Sequence, residues 1–180
     1  MPALSIWSRE DGILGAVAPL GLAAAAGTAL VVDLDRNGPA YPGSTSLADL
    51  VSRGPTRTEL RPTRRGVCIV PNGGIALADA ADVLDALVAG WPRVVLRLPP
   101  ASLPPSSAVQ VHVLVPGALF PIPLGHRLVV QAAGWRLQKP PGCVVLPPPR
   151  RNTVGALLTG TLPPPGDRWV RAWRPVWGAA

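Results

Sequence analysis

The sequence contains few of the residues that build metal centres and disulfide frameworks. Its 180 residues include two cysteines and two histidines. Cys68 and Cys143 lie far apart in apolar, strand-like runs, which predicts buried thiols and excludes a CxxC zinc site. His112 is predicted at a half-exposed strand position and His126 on the surface, neither as a ligand. HExxH, GxSxG and GxGxxG motifs are also absent, so no common hydrolase or dinucleotide-binding signature is present.

Charged residues are scarce and unevenly distributed. They make up 15% of the chain against 48% apolar residues, a balance that predicts a folded domain. Residues 1–85 carry nine acids and seven arginines, whereas residues 86–180 carry one acid, nine arginines and one lysine. The basic C-terminal half favours an acidic partner, which the sequence leaves open as a membrane surface, a nucleic acid or a protein.

One apolar run is long enough to be considered as a membrane span. Residues 12–32 cover 21 positions with Thr28 as the single polar residue. The run is rich in alanine and glycine, is interrupted by Pro19 and continues directly into Asp33. These features favour a helix followed by a strand over one spanning helix. Membrane anchoring or export through residues 12–32 stays open as an alternative.

Apolar runs of strand length alternate with helical patterns through the first hundred residues. The predicted strands and helices, in the order β-α-β-α-β-α-β, lie at residues 3–7, 13–26, 29–35, 44–54, 66–70, 75–90 and 92–100. The basic segment 55–65 is predicted as a loop or an edge strand. This alternation predicts an α/β fold with a mostly parallel, doubly wound sheet and helices on both faces.

The helix predicted at residues 75–90 is amphipathic. Its expected inward face comprises Leu77, Ala80, Leu84 and Leu87. The other side carries three acidic residues at a spacing of three, Asp79, Asp82 and Asp85. Such a row is expected to be a solvated face and not a metal site.

The second half of the chain is predicted to be helix-poor. Seventeen of the 24 prolines follow residue 90, and proline disfavours long helices. Further strands are predicted near residues 108–117, 126–135 and 142–149, and residues 153–159 are the one helix-compatible stretch beside them. We expect a single α/β domain over residues 1–165, followed by an arginine- and tryptophan-rich tail over residues 166–180.

Two carboxylates follow the second predicted strand, at Asp33 and Asp35 in the segment ALVVDLDRNG. The landmarks LVVDLD, SLADLVSRG, GVCIVPNGG and RVVLRLPP follow one another within residues 1–100. Their order resembles the ParA/MinD group of P-loop ATPases, which includes pilus-assembly and septum-site members. The resemblance implies a P-loop NTPase-like fold. It also implies that Asp33 and Asp35 correspond to an acidic pair whose first member faces the catalytic water and metal.

The resemblance does not extend to the nucleotide-binding residues. The segment DGILGAV stands where the family has its phosphate loop, with Ala16 at the lysine that neutralises the phosphates, Val17 at the Ser/Thr metal ligand and Asp11 at the second, signature lysine. Arg97 stands where the family has the acidic residue of its Walker B strand. We therefore expect no nucleotide cofactor, no metal and no ATP hydrolysis, with the acidic pair as a remnant.

The C-terminal stretch GDRWVRAWRPVWGAA interleaves arginines with tryptophans. Its members are Arg168, Trp169, Arg171, Trp173, Arg174 and Trp177. On a helix the three indoles share one face and the arginines lie opposite, although Pro175 would interrupt that helix. The pattern leaves three roles open: packing of the tail on its own core, docking on a membrane or a protein partner, and binding of nucleic acid.

These features together predict a non-catalytic, cytoplasmic scaffold or positioning protein of the ParA/MinD type. The resemblance implies a role in pilus assembly, cell division or partitioning. It also implies a protein partner, either a second copy of the chain or an active ATPase of the family. Peripheral membrane contact is a further expectation, and a nucleic-acid-binding accessory protein that uses the basic half is the alternative function.

Overall fold

Within the described residues, seven strands form one fully parallel sheet, which confirms the predicted α/β class. The computed structural model describes residues 3–9, 12–62, 65–114, 127–132, 141–161, 163 and 166–178. The strands are β1 (Ala3–Ser8), β2 (Thr28–Asp33), β3 (Gly66–Val70), β4 (Val94–Arg97), β5 (Val109–Leu114), β6 (Arg127–Ala132) and β7 (Val144–Leu146). Their order across the sheet is β3-β2-β4-β1-β5-β6-β7, and every adjacent pair is parallel.

The helices described in the structure cover both faces of this sheet. They are α1 (Ile13–Ala26), α2 (Leu47–Arg53), α3 (Ala81–Gly90), α4 (Arg151–Leu158), α5 (Arg168–Ala172) and α6 (Arg174–Gly178), and a 3₁₀ turn (Leu77–Ala80) leads into α3. Helix α1 packs with α4, α5 and α6 on one face, whereas α2 contacts the 3₁₀ turn that leads into α3 on the other. The expected doubly wound arrangement is therefore confirmed.

Strand β2 shows how the sequence divides its side chains between the two layers. Val31 packs into the core beneath α1, whereas its neighbours Leu30 and Val32 pack into the core beneath α2 and α3. All three are completely buried. Successive side chains of a strand point to opposite faces, so a strand buried on both sides must be apolar at every position.

The long apolar run is a helix and a strand, as its composition favoured. Helix α1 ends at Gly27, whose φ of 82° turns the chain while its N–H donates to the carbonyl of Ala24. Strand β2 begins at the next residue. Within the described part of the chain, no helix combines the length and the apolar character that a membrane crossing requires. Residues 12–32 are divided between α1 and β2 and do not form one continuous helix.

The predicted amphipathic helix at residues 75–90 is correct except at its start. Ala80, Leu84 and Leu87 are buried as expected, but Leu77 is 55% exposed. The reason is local, because the first turn is a 3₁₀ helix whose side chains repeat every three residues rather than every 3.6. The three aspartates of this segment are exposed, and among the described residues no group of three acidic, cysteine or histidine side chains could hold a metal.

The expectation of two buried cysteines is wrong. Cys68 is exposed and Cys143 is half-buried. Cys68 lies on β3, which is the edge strand of the sheet and so lacks cover on its outer side. The neighbouring basic segment forms turns over its described residues 55–62, and not an edge strand.

The second half of the chain has the expected scarcity of helix. Strands β5, β6 and β7 lie side by side in chain order, and none of the described residues between β4 and α4 is helical. His112 is half-buried on β5, where its ring meets Trp7 edge-on at 6.1 Å. His126 lies outside the described residues.

Candidate functional site

The first group of predicted site residues meets at the carboxyl ends of two neighbouring strands. Asp33 ends β2 and Arg97 ends β4, and the two residues are register partners across the parallel pair. Asp35 follows two residues after the end of β2. Ligands of open α/β sheets bind outside the carboxyl ends of the strands, so this is where a site is expected.

Arg97 binds both carboxylates of the acidic pair. Its Nη1 lies 3.2 Å from Asp33 Oδ2 and its Nη2 lies 3.1 Å from Asp35 Oδ2. Nη1 also donates to the carbonyl of Pro39 at 3.0 Å, and the guanidinium carbon lies 4.8 Å from the centroid of the Tyr41 ring. We call these four side chains, of Asp33, Asp35, Tyr41 and Arg97, the Arg97 cluster. All four residues are buried.

The remaining carboxylate oxygens are used by the backbone that follows β2. Asp33 Oδ1 accepts from the N–H of Asp35 at 3.0 Å. Asp35 Oδ1 accepts from the N–H groups of Asn37 and Gly38, at 3.2 and 3.0 Å. A side chain at position 38 would collide with the Asp35 carboxylate and the Arg97 guanidinium, so the turn requires glycine there. Each carboxylate oxygen of the pair therefore has a partner in the protein.

Burial governs the ionisation of this cluster. It raises the pKa of Asp33 to about 6, although the charge of Arg97 and the N–H of Asp35 both act to lower it. Burial also raises the pKa of Tyr41, whose hydroxyl donates to the carbonyl of Ala16 at 2.5 Å. Tyr41 thereby connects the cluster to the first turns of α1.

The segment predicted to stand at the position of a phosphate loop is buried only at its end, where α1 packs on the sheet. Strand β1 ends at Ser8 and α1 begins at Ile13, and Asp11 lies in this short connection outside the described residues. Ala16 and Val17 are buried in α1 against the sheet. Neither position presents a cation or a hydroxyl to the carboxyl ends of the strands.

The described residues above β1 and β4 leave only a small cavity. Ile6, Ser8, Gly15 and Arg97 line a cavity of about 10 Å³, which is the volume that one water molecule needs. Bound Mg²⁺ would have to replace Arg97 as the partner of both carboxylates. The residues present here therefore do not fit a magnesium–nucleotide complex.

The tryptophans of the tail belong to the core. Trp169 and Trp173 are 1% and 0% exposed, and their rings meet edge-on at 5.6 Å. Trp169 Nε1 donates to Gln131 Oε1 at 2.7 Å, and Trp177 Nε1 donates to the carbonyl of Leu22 at 2.9 Å. Packing on the core, one of the three roles left open for the tail, is what the structure shows for Trp169 and Trp173, so contact of these two indoles with a membrane or a partner is corrected. Trp177 is half-buried.

The two short helices arise from the local sequence of the tail. Asp167 caps α5 by accepting from the N–H groups of Trp169 and Val170, at 2.9 and 3.0 Å. Trp173 separates α5 from α6, and Pro175 follows in the first turn of α6. The break lets Trp169, Trp173 and Val176 all reach the core. The arginines at 168, 171 and 174 remain exposed.

Comparisons with known proteins leave the chain without an assigned family. No protein-family model matches it, and no curated protein matches it in a sequence search.

Sequence reasoning missed three residues that complete these arrangements. Tyr41 covers Arg97, Asn72 Nδ2 donates to the carbonyl of Asp33 at 3.3 Å, and Gln131 accepts from Trp169. Tyr41 and Asn72 lie in loops, where no periodicity signals burial. The ion pairs of Arg97 did have one signal in the sequence. Arg97 and the two acids, Asp33 and Asp35, were all predicted at strand ends of the same presumed site.

Proposed function

We propose that this chain is a non-catalytic domain of the ParA/MinD type, which acts by binding a protein partner as a scaffold or positioning factor. The observation that carries the proposal is the double ion pair of Arg97 with Asp33 and Asp35. The guanidinium supplies the positive charge that a metal ion supplies in an active site of this kind. It does so permanently, because arginine does not lose its proton in proteins.

The geometry supports this function over an enzymatic one in two further respects. Each carboxylate oxygen is already engaged by Arg97 or by a backbone N–H, and the side chains of Ala16 and Val17 offer no group that could bind phosphate. In such a domain the ion pairs hold the ends of β2 and β4 together, and the outer surfaces of the fold are available to bind a protein partner. A place in pilus assembly, cell division or partitioning, in the cytoplasm, is proposed from the resemblance alone.

A thermal unfolding experiment with nucleotide tests the proposal. The protein is heated with and without millimolar Mg-ATP, and an active ATPase of the ParA/MinD group serves as the positive control. Ligand at about 100 times its Kd stabilises a protein by about 2.7 kcal/mol, a shift of several degrees in Tm. We expect no shift for this chain. A rise in Tm that saturates with Mg-ATP would contradict the proposal.

A further inference from the structure

A basic groove lies at the edge of the sheet opposite to β3. Its floor is formed by residues 145–147 at the end of β7, and Arg168, Arg171 and Arg174 stand along its side. The groove is shallow and open to solvent, and all three arginines are exposed. We call this surface the basic groove. β7 is the last strand of the described sheet, so the groove lies at the edge of that sheet.

No carboxylate among the groove's described lining residues neutralises these arginines. Asp167 lies in an adjoining cavity with Arg150, but its oxygens are already used by Thr153, Trp169 and Val170. Partial burial acts to raise the pKa of Asp167, yet these hydrogen bonds outweigh it and hold the pKa below its usual value. The basic groove therefore presents a concentrated positive charge to a partner.

We propose that the basic groove binds an extended acidic segment of a partner protein. Arginine pairs with carboxylates through two parallel hydrogen bonds, and three arginines in a row suit a segment that carries several acidic side chains. The half-buried Val145 beside them offers an apolar contact. The inference deepens the proposed function, since it names the kind of partner through which a non-catalytic domain would act.

The structure favours a protein segment over a membrane surface. An interfacial helix inserts large apolar side chains between lipid headgroups. The large apolar side chains of α5 and α6 are turned inward, with Trp169, Val170, Trp173 and Val176 buried. No residue of these helices is among the exposed large hydrophobic residues that the structure describes. Three arginines alone would give only weak, purely electrostatic attachment to lipid.

A protein segment is also favoured over single-stranded nucleic acid. Such strands are held by bases stacking on aromatic rings. The rings of Trp169 and Trp173, which could otherwise stack on bases, are buried. The indole of Trp177 donates a hydrogen bond to the carbonyl of Leu22, and the guanidinium carbon of Arg93 lies over its ring, 5.5 Å from the centroid.

The short edge strand determines how the segment binds. β7 has three residues, and the prolines at 147–149 that follow it lack backbone N–H groups. Addition of a long strand to this edge is therefore prevented, and the side-chain pairs with arginine supply most of the affinity. Binding should consequently weaken steeply as salt is added.

Fluorescence anisotropy with the whole chain tests the inference. The probe is a labelled peptide of about twelve residues that repeats Glu-Ser-Glu-Leu, and its control replaces each glutamate with glutamine. R168E/R171E/R174E is compared with R57E/R61E/R65E, which reverses three exposed arginines at the far edge of the sheet. The two variants have the same net charge. We expect the groove variant to weaken binding by at least about tenfold and the matched variant by less than about twofold.

Three results would overturn the inference. The first is an equal effect of the two triple variants on Kd. The second is tighter groove-dependent binding of vesicles with about 30% phosphatidylserine, or of a DNA duplex, than of the peptide. The third is self-association of the chain that the groove variant abolishes, because the occupant would then be a second copy. Far-ultraviolet circular dichroism checks folding, and R168Q/R171Q/R174Q replaces the groove variant if needed, with an expected loss of about threefold.

The outcome is independent of the nucleotide experiment. The titration is performed without nucleotide, so Mg-ATP binding would contradict the proposed function and leave this result unaffected. An unchanged Kd for the groove variant would remove the basic groove as the binding surface and leave the non-catalytic assignment unaffected.

Discussion

Arg97 and Asp33 face each other as the last residues of two adjacent parallel strands, with their side chains joined by a buried ion pair of 3.2 Å. Asp35 binds the same guanidinium from the following turn. Removal of one member of a buried ion pair leaves an uncompensated charge inside the protein, which costs more than the pair itself contributes. The stability of the sheet at this end therefore depends on Arg97.

Arg97→Met should lower the free energy of unfolding by about 3–5 kcal/mol, because two buried carboxylates lose their common partner. Urea unfolding followed by tryptophan fluorescence measures the loss. The free energy of unfolding of Arg97→Lys should lie between those of the parent chain and Arg97→Met. A lysine can reach one carboxylate but cannot bind both in a fork. The combined variant D33N/D35N/R97M, which removes all three charges, should recover part of the loss. Equal stability of Arg97→Met and the parent chain would show that the ion pairs contribute nothing.

Asp33 should make the protein less stable as the pH rises from about 4 to about 6. Burial raises the pKa of Asp33 to about 6 in the folded chain, against about 4 when unfolded. The folded state therefore binds the proton more tightly, and this contribution is complete below pH 4 and is lost above pH 6. Arg97, which acts to lower this pKa, and Asp35, whose charge acts to raise it and whose N–H acts to lower it, are the neighbouring groups that influence it.

The pH effect is measured as the difference in unfolding free energy between the parent chain and Asp33→Asn. That difference should fall by on the order of 2 kcal/mol between pH 4 and 6 and stay constant above pH 7. Asp82→Asn, at an exposed position of α3, is the control for removal of one carboxylate. A difference that is flat across this range would show that Asp33 ionises in the folded chain as it does in the unfolded one.

Two glycine-to-alanine substitutions should have opposite effects. A Cβ on Gly21 of α1 would collide with the rings of Trp169 and Trp173, so Gly21→Ala should destabilise the chain by about 1–3 kcal/mol. Gly155 of α4 is exposed and a Cβ there meets nothing within 4 Å. Gly155→Ala should stabilise the chain by about 0.5–1 kcal/mol through helix propensity. Chemical unfolding of both variants under one set of conditions compares them, and a neutral Gly21→Ala would contradict the close packing of the tail on α1.

Local sequence patterns were sufficient for most of the fold. The apolar run of β2 and the helix at residues 13–26 were predictable because burial on both faces and the Gly27 stop leave a local signal. Leu77 and Cys68 were wrongly predicted as buried, since a 3₁₀ turn and an edge position depend on the rest of the fold. Periodicity alone does not tell which strand lies at the edge.

The chemistry of the site could be predicted only in part. The sequence located Arg97 at a strand end beside the acidic pair of Asp33 and Asp35. It did not indicate that Arg97 binds both carboxylates, because that contact joins residues 64 and 62 positions apart and requires β2 and β4 to be adjacent. Sheet order depends on long-range packing, which a single sequence does not encode in any local pattern.

Phenylalanine substitutions distinguish the two central tryptophans of the tail. Both side chains are buried in the same cluster, but Trp169 Nε1 donates to Gln131 Oε1, whereas Trp173 Nε1 has no hydrogen-bond partner within the described structure. Trp169→Phe removes a donor from a buried amide oxygen, which costs about 1–3 kcal/mol beyond the loss of ring volume. Trp173→Phe removes a similar volume, and the N–H group that it removes has no hydrogen-bond partner within the described structure.

We therefore expect Trp169→Phe to lower the unfolding free energy by more than Trp173→Phe does, with the difference measured by urea unfolding monitored by circular dichroism. Equal losses would mean that the bond between Trp169 and Gln131 contributes nothing. Neutral behaviour of both variants would mean that the tail is separate from the core and free to bind elsewhere. A large loss of unfolding free energy for Trp169→Phe would instead show that the tail is part of the folding unit. The indoles are then occupied in the core, so the outward-facing arginines are the surface with which the tail can bind a partner.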